Sequence, residues 1–338
     1  MGVVTNSINI IVFCRLGFKD TVNITMTAIS AWDLVKVLCG MVHRFFGPIS
    51  WVSPALGKSW ENITFTKLTY IHVISGNVSA VIAGYVAVER CLCVSLPFTV
   101  KTLLTPKLTL ALSAILSVVV FFSYFCILLI FDIRWVYSSA FAAEIAVYVY
   151  NSFYWTHGQL FFKAYTWFHF IYPFLSLLAM VSSTLIIAYH LAKASRFKKT
   201  ALRVFHTETP SKTGPPRSDI TAEAHSRQRQ IFPDWVSTRV RGQVSMTSKE
   251  KKVVKMLLVV IAVFIANQGP RFIHVFAMIL VPEYYPLKSY HNLIMCVMCF
   301  VSFLDFLNAS VSLFIFLPMS SNFRTAFLQI FRVKYSKS

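Results

Sequence analysis

Glu89-Arg90-Cys91 sets a carboxylate beside a guanidinium at the end of a long apolar run, with Pro97 six residues after Cys91. Charges at the edge of a hydrophobic segment are costly in lipid and persist where they pair or switch. Their chemistry is electrostatic rather than catalytic, because a pair that can be made and broken biases a helix between two positions. Further charges stand inside other apolar runs. Asp33 and Lys36 lie three residues apart, one helical turn, and Asp305 sits in the last run. An unpaired charge at mid-membrane costs about 2.5 kcal/mol or more, so Lys36 needs a carboxylate partner. Asp305 on a facing helix is expected in that role, with Asp33 as the alternative. No catalytic constellation accompanies these charges. The chain has no Gly-rich phosphate loop, no metal motif and no nucleophile elbow, so neither an enzyme nor a cofactor is expected.

The elements that position these residues follow from composition. The chain has 338 residues, of which 56% are hydrophobic and 13% charged. A soluble domain carries about 25% charged residues. Apolar runs near the ~20 residues needed to cross a bilayer fall at 22–46, 66–96, 106–131, 164–192, 252–281 and 290–318. Stretch 1–14 is apolar but too short to cross, with Asn6 as its buried polar residue. Two readings follow: a six-helix protein, or a bundle of seven with a truncated first helix. The motif positions described below favour the second. The fold class expected is therefore an all-α integral membrane protein, a seven-transmembrane-helix bundle over 1–318. An amphipathic helix and a short tail occupy 319–338, where Phe323, Phe327, Ile330 and Phe331 share one face beside Arg324, Arg332 and Lys334. Such a helix lies on the membrane surface.

Net charge is +19. The basic residues fall between apolar runs rather than on a soluble domain, so the charge reads as positive-inside bias and not as nucleic-acid binding. Segment 191–252 holds fourteen Lys and Arg against five Asp and Glu, which sets it in the cytoplasm. The amino terminus is then outside and the carboxyl terminus inside, in a multi-pass protein of the plasma membrane. Loop 197–248 is polar and broken at Thr213-Gly214-Pro215-Pro216-Arg217, so a disordered middle between helical extensions is expected. Segment 133–155 alternates unevenly and suits a β-hairpin. Seven cysteines lie in or beside apolar runs, without the spacing of a zinc site. No signal peptide is expected. Asn62-Ile63-Thr64 is a glycosylation sequon in an outer loop, making Asn62 the glycosylation candidate.

These motifs together resemble the rhodopsin-like (class A) G-protein-coupled receptors over nearly the whole chain. Asn23 and Ser30-Ala31-Trp32-Asp33-Leu34 are similar to the second-span motif of that family. Glu89-Arg90-Cys91 stands for Asp-Arg-Tyr, and Pro173 matches the fifth-span proline. Asn267-Gln268-Gly269-Pro270 stands for Cys-Trp-x-Pro, with Phe264 below it. Ser312-Leu313-Phe314-Ile315-Phe316 replaces Asn-Pro-x-x-Tyr, seven residues before Phe323. The departures matter. Gln268 replaces the switch tryptophan, Val181 replaces the fifth-span tyrosine, and the fourth span lacks its tryptophan. Phe65 stands where the family carries a disulfide cysteine, and the second outer loop has none. Gly17 to Asn23, Arg90 to Val94, Pro282-Glu283-Tyr284 and Ser320 to Arg324 resemble an expanded invertebrate group of molluscan type, candidate chemosensory or neuropeptide-like receptors.

The resemblance implies a receptor that binds an extracellular peptide or small chemosensory molecule and activates a heterotrimeric G protein. Its partners are then that G protein, the ligand and the lipid bilayer, with no nucleic acid. Arg90 contacts the G protein, restrained at rest by Glu89 and by Glu250, twenty residues before Pro270. Asp33, Ser79, Asn308 and Ser312 match the polar core of the family, with Lys36 and Asp305 beside it. Asp33 and Ser79 are weak sodium-site candidates, since Lys36 competes for Asp33. The ligand pocket takes Lys67, His72, Gln268, Arg271 and His274. His72 replaces the aspartate of amine receptors and Phe306 the retinal lysine of opsins, so neither ligand class is expected. Pro173 and Pro270 kink their helices. The alternatives are a heptahelical channel or transporter, and a degenerate paralogue that no longer signals.

Overall fold

The computed structural model describes residues 1–96, 104–207, 248–281, 283–284 and 289–331. Local chemistry sets the helix ends. Helix α1 (Gly2–Leu16) closes at Gly17, whose φ of 80° suits a residue without Cβ. Asp20 then caps α2 (Thr21–Arg44), its carboxylate accepting from the Val22 amide at 3.0 Å. Helix α3 (Phe46–Val52) follows, and Ser53-Pro54 opens α4 (Pro54–Thr64) with a hydroxyl cap and a proline in the first turn. A π-type turn over Phe65–Thr69 carries the chain into α5 (Tyr70–Ser95). Thr105-Pro106 repeats the same opening at α6 (Pro106–Ser123). Segment 47–65, expected as an outer loop, is thus largely helical, because Ser53-Pro54 restarts a helix rather than ending one.

The expected hairpin is present. Strands β1 (Phe131–Ser138) and β2 (Ala143–Tyr150) pair antiparallel, with Phe131 opposite Tyr150 and Ser138 opposite Ala143. The apolar run 106–131 ends its α-helix at Ser123 rather than at 131, and a 3₁₀ turn at Phe125–Leu129 leads into β1. Ala142 holds φ 48° in the turn, a left-handed conformation costly for a residue with Cβ.

Helix α7 (Gln159–Thr207) contains Pro173, and α8 (Ser248–Leu280) contains Pro270. Both extend past their apolar runs, as expected for the flanks of the long polar loop. Its middle, 208–247, lies outside the described residues. Helix α9 (His291–Met319) and α10 (Ser321–Phe331) complete the chain.

Five segments, Thr21–Val52, Pro54–Ser95, Pro106–Ser123, Lys163–His190 and His291–Pro318, are helical, long and apolar enough to cross a membrane among the described residues. Helix α1 packs on α2 and α9, and α8 packs on α7 and α9. On α6, Leu110, Ile115, Val118 and Phe122 are exposed. Apolar surface of that extent suits lipid and not water.

Packing rather than water exclusion holds helices together in lipid, so close approach matters. At Gly84 a Cβ would stand 3.2 Å from the Ser176 backbone, which brings α5 and α7 together. One core cluster joins Val12, Phe13, Met26, Phe316 and Phe323 at the Arg90 end. Another joins Tyr70, Ile74, Tyr124, Ile130 and Phe131 at the hairpin end. Helix α10 turns Phe323 and Ala326 inward, while Arg324 and Leu328 face out, the amphipathic pattern expected of it.

Candidate functional site

Polar groups gather at three levels along the bundle. At one end, Glu89 is only 1% exposed, and its carboxylate pairs with Arg90. Neighbouring residues on a helix point apart, so the guanidinium bends back to reach Glu89. The same Nη2 donates to Thr21 Oγ1 at 2.8 Å, at the first turn of α2. Glu250 lies on α8, but its side chain is outside the described ones, as is any pairing with Arg90. Thr21 is thus a partner of Arg90 that the motif reading missed. A polar residue opening the second span was its only signal.

At mid-bundle, Asp33, Ser79, Asn308 and Ser312 line one cavity of about 50 Å³. They come from α2, α5 and α9, and the structure brings all four together. The volume admits a few waters. Ser79 donates to Asp33 Oδ1 at 2.9 Å, and Asn9 Nδ2 donates to Ser312 Oγ at 2.9 Å. Asn6 is fully buried and donates to the Ala309 carbonyl at 2.6 Å. Met26, Met180, Ile261, Phe264 and Phe316 form much of the remaining wall.

The charges one turn further on differ from expectation. Asp305 meets Arg271, Nη1 to Oδ2 at 3.9 Å, and not Lys36. Among the described residues no carboxylate lies within 4.0 Å of Lys36, although it is only 3% exposed. Its stem runs along Gly76, where a Cβ would be 3.4 Å from Cδ and 3.8 Å from Nζ. The long Arg271 side chain reaches Asp305 from α8, which reassigns the partner. Asp33, one turn away on its own helix, is left as the charge that Lys36 can balance.

No protein-family model matches the chain, and no curated protein matches it. What the site can do therefore rests on its own chemistry.

The hairpin-end residues are brought together only in part. His72 Nδ1 donates to the Lys36 carbonyl at 3.0 Å, and its ring meets Phe306 at 5.0 Å. A Cβ at Gly40 would stand 2.4 Å from Phe306, so the glycine makes room for that ring. Arg44 lies over the other part of this group, 4.7 Å from the Phe306 centroid, a cation–π contact. Arg271 Nη2 sits 2.9 Å from His169 Nε2, and the His169 ring stacks on Tyr165 at 5.8 Å. Gln268 is buried, and its Oε1 has no partner among the described residues.

Arg44 and His169 are additions to the expected set. The signals were available: Arg44 is one turn past Gly40, and His169 is one turn before Pro173. Two expected pocket residues are otherwise engaged. The Lys67 ammonium donates to the Leu128 carbonyl at the base of the hairpin. His274 Nδ1 meets the Tyr284 hydroxyl at 3.0 Å.

Asn62 is not placed for glycosylation. It is buried, and its Nδ2 donates to the Ala146 carbonyl at 2.8 Å, so the nitrogen a sugar would need is enclosed. Ser59 Oγ accepts from the Ala146 amide at 3.0 Å. Together Asn62 and Ser59 cap the outer edge of β2. All seven cysteines are free thiols. At the Phe65 position, where the resemblance would place a disulfide, the ring instead stacks on Tyr148 of β2, 5.1 Å between centroids.

The sodium candidate can be judged on the donor set. Asp33, Ser30, Ser79, Asn308 and Ser312 offer oxygens, which suit a hard cation. Four of those groups are already engaged, Ser312 with Asn9, Ser79 with Asp33, and Asn308 with Asn267. Lys36 already sets one positive charge a single turn from the only carboxylate in the lining. The residues do not fit a sodium site.

Proposed function

We propose that the protein is a rhodopsin-like G-protein-coupled receptor with seven spans. It binds an extracellular peptide or small chemosensory molecule and activates a heterotrimeric G protein as α8 swings outward. Helices α1, α2, α5, α6, α7, α8 and α9 are the seven spans in this reading. The hairpin end faces outside, and the Arg90 end faces the cytoplasm of a cell bounded by this plasma membrane. The observation that carries the reading is the convergence of Asp33, Ser79, Asn308 and Ser312 on one cavity, from three helices. Those four residues were chosen by motif position alone.

Arg90 is the coupling residue. Its side chain is partly accessible and is held by Glu89 and Thr21. A contact between neighbours and one hydroxyl can be exchanged for a contact with a G-protein helix. Arg44 and Arg271 give the ligand end cationic character, partly offset by Asp305. A ligand bearing a carboxylate is steered to such a site.

The test is nucleotide exchange. The full chain is expressed with a promiscuous G protein and challenged with free-acid and amidated peptides and small carboxylic acids. Glu89→Gln with Arg90→Gln keeps a neutral hydrogen-bonded pair but removes the guanidinium. This double variant is expected at the cell surface with its exchange abolished. Full response from a well-expressed double variant would remove Arg90 from the mechanism. Transport of the challenge compound without exchange would favour the transporter alternative.

A further inference from the structure

Lys36 is buried within the bundle and is matched by no carboxylate within 4.0 Å among the described residues. Of the two aspartates on these facing helices, Asp305 is engaged by Arg271 at 3.9 Å. Asp33 lies three residues before Lys36 on α2, so the two share one helix face. Both are almost fully enclosed, at 5% and 3% exposure. An isolated ammonium in this environment would need a counter-charge. Asp33 is the remaining carboxylate that can supply it.

The surroundings hold the Lys36 stem in place. The stem runs beside Gly76 on α5, where an added Cβ would make an ordinary contact with Cδ at 3.4 Å. One turn away, His72 donates to the Lys36 carbonyl and fixes the register of α2 against α5 at this level. The cavity beside Asp33 is polar on one side and large enough for a few waters. A free cation entering it would place a second positive charge near one carboxylate. Like charges disfavour each other at such range in a low-dielectric interior.

We propose that Lys36 is a tethered counter-cation for Asp33, and that the adjoining cavity holds water and is indifferent to sodium. A covalently attached charge cannot dissociate and has no concentration dependence. The polar core therefore keeps one electrostatic state across any salt gradient. This inference concerns ion binding alone and stands apart from receptor signalling.

The experiment is thermal unfolding of the full chain in phosphatidylcholine nanodiscs, with sodium chloride exchanged for choline chloride at constant ionic strength. The wild type is expected to unfold at the same midpoint in both salts. Lys36→Met is expected to unfold at a lower midpoint in choline and to recover progressively as sodium replaces it. Lys36→Met with Asp33→Asn is expected to lose that recovery, and Lys36→Arg is expected to remain indifferent. A sodium-specific rise in the wild type would overturn the proposal. So would a folded Lys36→Met variant with no sodium response. If Lys36→Met fails to fold, Lys36→Gln with its smaller polar end takes its place under the same two criteria. Loss of G-protein coupling has no bearing on these outcomes.

Discussion

The two ends of the bundle are held by different chemistry. At the hairpin end the contacts are aromatic and redundant. Phe131 stacks on Tyr70 at 5.8 Å and on Tyr150 at 5.2 Å, and Tyr150 stacks on Tyr154 at 3.8 Å. Phe65 on Tyr148 adds a fourth contact, and Asn62 and Ser59 cap the strand edge. Loss of any one leaves the others. At the opposite end one ion pair and one hydroxyl hold Arg90. A single charged contact is cheap to exchange but costly to break outright, because a buried charge is left behind. The difference separates an end held by many redundant contacts from an end where Arg90 is held by two.

The largest expected effect tests the charged end. Glu89→Ala should destabilise the protein by about 3–5 kcal/mol, since Arg90 loses its buried partner. Glu89→Leu with Arg90→Met should recover most of that. Thermal melts in nanodiscs decide the matter, and a silent Glu89→Ala would make the two ends alike. The next effect is at the strand edge. Asn62→Ala leaves the Ala146 carbonyl without its side-chain donor and should cost about 1–3 kcal/mol. Faster deuterium uptake confined to β2 and α4 would locate the loss there. An unchanged exchange profile would mean that the cap is dispensable.

A smaller effect measures the aromatic contact itself. A double-mutant cycle on Phe65→Ala and Tyr148→Ala should give a coupling of about 0.5–1.5 kcal/mol. Additive single effects would show that stacking does not replace the missing disulfide. The smallest effect is at the turn. Ala142→Gly relieves a left-handed conformation and should stabilise the protein by less than about 1 kcal/mol. A lower melting midpoint would show that the turn relies on Ala142 for packing.

Much of the helical layout was legible because apolar length is a local signal. The caps at Asp20, Ser53-Pro54 and Thr105-Pro106 were not read as helix starts, so the helix over Pro54–Thr64 was missed. The hairpin was legible from alternation, although its turn has no glycine to announce it. The cavity residues were named from the family resemblance and not from any local signal. The partner of Asp305 was not, because an arginine spans more than one helical turn and its reach depends on helix rotation. Lys36 was the expected partner by depth, whereas Arg271 had been placed only in the ligand pocket, and it is Arg271 that lies 3.9 Å from Asp305. Asn62 shows the same limit. A sequon reports residue types, but the burial of its amide is set by a strand some eighty residues away.

Helix α1 packs on its neighbour α2 but finds its interhelical polar partners at the other end of the chain. Asn6 bonds Ala309 and Asn9 bonds Ser312, each across 303 residues. Phe13 meets Phe316 at 5.3 Å and Phe323 at 5.1 Å. At ordinary elongation rates a ribosome takes roughly 15–60 s to make that much chain. During this interval two amide side chains wait in the bilayer without their final acceptors. A chaperone or insertase that shelters polar helices would act in that window. Nascent chains stalled before α9 should then remain open to degradation, however well the middle helices have already packed.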